Sequence, residues 1–164
     1  MFVVEDGTGL TNSNSYVSVD DYKEYWADRG VDYSTVSDAT IQASLVKATQ
    51  YLDTNFRWIG KKQTAVQALQ WPRWYAYSPE GYIYSGVPRD VMYAVCEAGA
   101  IAQGGVSLFA SSEGGVSEKT ENVGPIQTTY KYAQTMNGRV VYQAIQIYIK
   151  DLVQSRPNAV VRRY

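Results

Sequence analysis

Apolar residues recur at three- and four-residue spacing in four stretches, the pattern of helices that turn one face inward. In "NSYVSVDDYKEYWADRG" Ser18 stands where an N-cap belongs, Asp20 and Asp21 fill a first turn that favours negative charge, and Gly30 marks the stop. Tyr22, Tyr25, Trp26 and Arg29 then fall on adjoining faces. A longer helix is predicted over residues 38–56, with Ile41, Leu45, Ala48 and Leu52 as its stripe and Gly60 of "RWIGKK" as its breaker. Pro88 is placed at the first position of a third helix, which runs to Gly104-Gly105 and buries Val91, Val95, Ala98 and the Ile101-Ala102 pair. A fourth is predicted over residues 140–153, with Val141, Ile145, Tyr148-Ile149 and Leu152 on one face and Pro157 closing it.

The segments between the helices follow other rules. "QTAVQALQWPR" has room for a short helical turn that must end before Pro72, because a residue preceding proline avoids the α region. "WYAYSPEGYIYSGV" carries too many prolines and glycines for a helix and reads as an ordered loop. "GGVSLFASSEGGVSEK" reads as a mobile glycine- and serine-rich loop. Two short β-leaning runs around Asn122-Val123-Gly124-Pro125 predict a hairpin, the second alternating Ile126, Thr128, Tyr130 against Gln127, Thr129, Lys131. There are no internal repeats and no heptads. The fold class expected is mainly α: a bundle of about four helices with one β-hairpin and long ordered loops.

Composition narrows the function. A chain of 164 residues is one domain, and with a net charge of −1 and no long basic run it does not read as a duplex-binding protein. Charge is segregated: residues 1–38 hold eight acids and two bases, and residues 139–164 hold one acid and five bases. Such ends suit head-to-tail contact between copies, although most surface charge is simply solvated. Nothing at the N-terminus reads as a signal peptide and no window reads as a membrane span, so a soluble protein made in the cytoplasm is expected. The single cysteine, Cys96, lies on the buried side of the third helix and reads as a small core residue.

The chain contains no histidine, which removes histidine triads, histidine metal sites and the commonest general base. The carboxylate pairs Glu5-Asp6 and Asp20-Asp21 fall in a polar start and at a helix N-terminus. "DGTG" at residues 6–9 is in the wrong order for an aspartic-protease loop. Phosphate-cradling glycine loops are missing. No enzymatic activity, cofactor or metal is therefore expected.

Fifteen tyrosines and four tryptophans remain. Such side chains carry large contact area at low entropic cost and concentrate at protein interfaces, and they also stack on single-stranded bases when a basic groove lies beside them. Between Trp71 and Val87 the only base is Arg73, opposed by Glu80, which favours core or interface over stacking. Trp71 and Pro72 are read as core.

In this order and spacing, "VVEDGTGLTNSNSYVSVDDYKEYWADRG", "ATQYLDTNFRWIGKK", "QALQWPR", "VPRDVMYAVCEAGAIA" and "ENVGPIQTTY" resemble a family of tailed-bacteriophage proteins labelled DnaT-like single-stranded-DNA-binding proteins. Its members are similar to head-tail connector, or head-completion, proteins. The resemblance covers residues 3–131 and is carried by Tyr16, Tyr51-Leu52, Trp58, Trp71-Pro72-Arg73, Pro88 and Gly124-Pro125. It implies a structural virion protein: a ring, usually of twelve copies, in the neck, joining the portal protein to the next neck or tail protein while genomic DNA passes through its lumen. No membrane is involved. On that expectation residues 1–156 form the helical adaptor domain and residues 157–164 a C-terminal arm. Val160, Val161, Arg162, Arg163 and Tyr164 of the arm would dock on the portal, the alternative being a disordered end. Tyr75, Tyr77, Tyr82, Tyr84, Ile126 and Tyr130 would meet the neighbouring subunit or neck protein. The family's own label supplies the competing expectation, a single-stranded-DNA-binding accessory protein using Arg57, Lys61, Lys62 and Arg73.

Overall fold

The computed structural model describes residues 1–109, 118–123, 126–131 and 142–154. In chain order these give α1 (Val19–Ala27), α2 (Asp38–Asn55), β1 (Lys61–Lys62), β2 (Arg73–Trp74), α3 (Arg89–Gln103), β3 (Glu118–Val123), β4 (Ile126–Lys131) and α4 (Gln143–Ile149). The fold is mostly helical with a small amount of sheet, as expected. β3 and β4 pair antiparallel from Glu118 opposite Lys131 to Val123 opposite Ile126.

Local signals set the helix starts. The Ser18 hydroxyl accepts from the Asp21 amide at 3.0 Å, and the Ser37 hydroxyl accepts from the Thr40 amide at 3.3 Å, each satisfying an otherwise unpaired amide of the first turn. The helices then bury their stripes. α2 and α4 both pack on α3, which is central, and α1 touches α2 and α3. Ile41, Leu45, Ala48 and Leu52 of α2 meet Val91, Ala94, Val95 and Ala98 of α3, with Ile145, Ile149 and Leu152 on the other side. Burying each large aliphatic side chain is worth roughly 1.5–3 kcal/mol, against about 0–1 kcal/mol for an exposed ion pair such as Lys23–Asp38. The apolar stripe, not surface charge, therefore sets the bundle. Gly99 allows the close approach: a Cβ there would lie 3.3 Å from the Tyr22 ring and 3.5 Å from a Leu45 methyl. Ile101 and Ala102 are only half-buried.

Three boundaries differ from expectation. α2 ends at Asn55, within one residue of the expected 56, but not at Gly60: the side chains of Thr54 and Asn55 turn back on the carbonyls of Gln50 and Tyr51 and Phe56 is already extended. Pro88 caps α3 from outside its first turn. α4 ends at Ile149, short of the expected 153, because the next residues are taken into extended pairing with residues 57–59. Ile59 N–H donates to the Leu152 carbonyl at 3.0 Å, Val153 bridges to Trp58, and Gln154 N–H donates to the Arg57 carbonyl at 2.7 Å. Residues 140 and 141, most of the glycine-rich loop and Pro157 with its tail lie outside the described residues.

One polar knot ties the non-helical half to the bundle. The Tyr16 hydroxyl donates to both oxygens of Asp53, on α2, at 2.8 and 3.0 Å, and accepts from the Trp71 amide at 3.0 Å. Asp53 also accepts from the Gln70 amide at 2.9 Å. Burial pushes the Asp53 carboxyl up from 3.8 to about 6, outweighing the amide, the phenol and the charges of Lys62 and Arg73, which favour the anion.

Because the folded value lies above the unfolded one, the folded chain holds this proton more tightly. The contribution is complete below about pH 4 and is lost as pH rises through about 6. The stability of the wild type relative to Asp53→Asn is therefore expected to fall as pH rises across that window, by at most about 3 kcal/mol. Urea titrations at several pH values test this, and a constant difference between the two chains would refute it.

Candidate functional site

The segment from Gln63 to Arg73 is built around a side chain rather than a period. Gln67 is buried, accepts from the Thr64 amide at 2.8 Å and donates to the carbonyls of Leu69 at 2.9 Å and Pro72 at 3.1 Å. These bonds organise an irregular loop where a helical turn was expected, and the Trp71-Pro72 peptide that follows is cis. Trp71 and Pro72 are buried, as expected. Trp71 packs edge-on against Trp58 at 5.9 Å and Tyr84 at 6.3 Å between ring centroids.

The N-terminal loop braces the same region. Glu5, expected in a polar start, is buried and accepts from the amides of Gly7, Gly9 and Leu10 at 3.1, 2.8 and 3.0 Å and from the Ser13 hydroxyl at 2.8 Å. "DGTG" is thus a turn wound on a carboxylate. The Leu10 carbonyl accepts from the Ala68 amide at 2.9 Å, and Gly7 lies so near Gly86 that a Cβ on it would come within 3.2 Å of the Gly86 Cα.

On this base stand a short ribbon and a finger. β1 and β2 pair antiparallel, Lys61 opposite Trp74 and Lys62 opposite Arg73, and opposed side chains share a face. One face is exposed, carrying Lys61 and Trp74. The other is half-buried, carrying Lys62 and Arg73. Tyr75 then adopts a left-handed backbone, φ 58°, and the following Ala76 is fully buried. From there the Tyr84 amide donates to the Ala76 carbonyl at 2.9 Å, Tyr77 bridges to Ile83, and the Ser78 amide donates to the Tyr82 carbonyl at 2.7 Å around Pro79-Glu80-Gly81. Gly60, expected to stop a helix, instead lies beneath the ribbon. Its φ is +71°, and a Cβ on it would sit 2.4 Å from the Trp74 carbonyl oxygen.

The result is a ridge of exposed apolar surface. Trp74, Tyr75, Tyr77, Tyr82 and Ile83 are 53, 67, 48, 76 and 63 % exposed. Tyr84, grouped with them in the sequence reading, is half-buried against Trp71; burial raises its phenol, and the carboxylates of Asp90, Asp151 and Glu80 add to the effect. The cations divide. Lys61 is exposed beside Trp74 and has no partner among the described residues, whereas Lys62 Nζ donates to the Gln67 carbonyl at 3.3 Å. Arg73 donates to the carbonyls of Ile59, Gly60 and Gln70 and to the Gln70 side chain at 2.7–3.1 Å, so its guanidinium is committed to the fold. Arg57 is exposed. Ile126 and Tyr130 occupy β4 opposite Val123 and Lys119. Val160, Val161, Arg162, Arg163 and Tyr164 lie outside the described residues.

Cys96 is buried and its thiol is pushed up by burial, so it is no nucleophile at neutral pH. Among the described residues no group of three acidic or cysteine side chains is placed to hold a metal ion, and no helix is long and apolar enough to cross a membrane. The finger was read from the sequence only as an ordered loop; the signal that could have found it is the alternation on both sides of Pro-Glu-Gly in "YAYSPEGYIY". The left-handed Tyr75 and the role of Gly60 had no such signal.

Fold and site together define a small helical protein that presents a preformed aromatic ridge. The chain belongs to the family described as "Putative DnaT-like ssDNA binding protein", which matches it over residues 1–164. That description speaks of single-stranded DNA and not of a connector. No curated protein and no solved structure matches the chain significantly.

Gly60→Ala is expected to destabilise the chain by about 1–3 kcal/mol, since the new Cβ adds left-handed strain and must displace the ribbon. The tryptophan fluorescence of the folded state should change as Trp74 moves. A variant with wild-type stability and spectrum would show that the ribbon does not depend on glycine at this position.

Proposed function

We propose that the chain binds single-stranded DNA without strong sequence preference, stacking bases on the ridge. The observation that carries this reading is the outward pair Trp74 and Tyr75 with Lys61 on the same face as the tryptophan. Stacking on an aromatic side chain is worth about 1–3 kcal/mol per base, so two or three stacked bases give useful affinity with little phosphate neutralisation. The family description supports the same ligand. With Arg73 committed and Lys62 tied, Lys61 is the cation of the ribbon left for phosphate. The salt dependence is therefore expected to be shallow, a logarithmic slope of about −0.7, the contribution of one neutralised phosphate of a single strand.

A second reading, the ring-forming head-tail adaptor, is favoured by the same charge pattern. The charges of Asp90, Asp151 and Glu80 act on Tyr84, next to the ridge, and Ile83 is exposed on it, features that suit a protein partner better than a phosphate backbone. In that reading the ridge meets the neighbouring copy or the next neck protein, and residues 157–164 reach the portal.

Fluorescence anisotropy with a labelled oligo-dT at low salt separates the two. Binding with the shallow slope, weakened by Lys61→Glu, supports the first reading. An absence of binding at tens of micromolar removes it, and electron micrographs of the chain mixed with portal rings then test the second, a ring stacked on one end of the portal being the expected image.

A further inference from the structure

We infer that Tyr75 is a base-stacking contact that the fold keeps at the expense of its own stability; the inference rests on the single-stranded-DNA reading above. Side chains on a strand alternate, so after outward Trp74 an ordinary residue 75 would point inward and residue 76 outward. The observed order is the reverse. Tyr75 is 67 % exposed and Ala76 is fully buried, because the left-handed turn at Tyr75 resets the phase by one residue.

Among the described residues Tyr75 is the only non-glycine with positive φ, while seven glycines occupy such positions. Glycine is the inexpensive choice there, and a bulky aromatic is the costly one. Most of the tyrosine side chain projects into solvent, next to Trp74, so it has little buried surface to offset the choice. What the arrangement does provide is two consecutive aromatic faces outward, Trp74 with Lys61 beside it and Tyr75 after it. Consecutive outward rings suit consecutive unpaired bases, and the neighbouring lysine suits the phosphate that links them. A backbone outlier held in place by its surroundings, here by Gly60 packed beneath residues 74–76, is where strain and binding coincide.

The test uses the full chain, with Tyr75→Gly, Tyr75→Asn and Tyr75→Phe compared by thermal melting and by oligo-dT anisotropy. Tyr75→Gly is expected to melt about 1–4 °C higher, the relief of strain exceeding the added chain entropy. The same variant is expected to bind at least about fivefold more weakly, the loss of one stacked base. Tyr75→Asn, which tolerates the left-handed region but cannot stack, should follow it, and Tyr75→Phe should match the wild type in both. A gain in stability with loss of affinity cannot come from misfolding. If the wild type binds and Tyr75→Gly binds equally well, Tyr75 is not a contact and the inference fails while the DNA reading stands. If neither glycine nor asparagine raises the melting temperature, the strain argument fails. If the wild type does not bind oligo-dT, the DNA reading fails and takes this inference with it.

Discussion

Asp53 stands in the closing turns of α2 and reaches, through the Tyr16 hydroxyl and the amides of Gln70 and Trp71, across three segments that are far apart in sequence. The carboxylate is poorly hydrated there, and the two donors that reach it, the Tyr16 hydroxyl and the Gln70 amide, do not fully compensate, which is why its proton is held so high. The arrangement nonetheless fixes Trp71. Once Trp71 is seated between Trp58 and Tyr84, Arg73 can reach the carbonyls on either side, and the ribbon and finger follow from that. A half-buried charge in the bundle thus sets the position of a hydrophobic surface at the far end of the same segment.

The helical half of this protein was readable because its signals are local. Ser18 announces a helix start within three residues of the amide it caps, and the stripe of α2 repeats within four. The other half depends on partners that sequence order hides. Tyr16 and Asp53 are 37 positions apart, and Tyr16 and Trp71 are 55 apart. Gln67 is a polar residue in an unperiodic stretch, yet it is the centre of its loop. Gly60 looked like punctuation after a helix and is instead the floor of a ribbon. The same holds for α4, which was extended too far because its natural successor pairs with residues 57–59 rather than continuing to coil.

The candidate site shows the same division. That the aromatic segment mattered was visible from its composition, and so was the separation of Trp71 and Pro72 from the tyrosines that follow. Which tyrosines reach solvent was not visible, because Tyr84 is drawn back onto Trp71 by a hydrogen bond from its amide to Ala76. Nor could the sequence distinguish a basic residue available to a ligand from one already spent. Arg73, the obvious candidate for phosphate, is bound to four acceptors of its own chain, whereas Lys61 gains its place from being opposite Trp74.

The sole cysteine of this protein is sealed within α3, its thiol raised by burial and its side chain 1 % exposed. A thiol introduced at Tyr82, at the tip of the finger, would therefore be the one group open to maleimide chemistry in the native state. A fluorophore or spin label placed there would report on whatever approaches the ridge, be it a strand of DNA or a second protein, without first rebuilding the core.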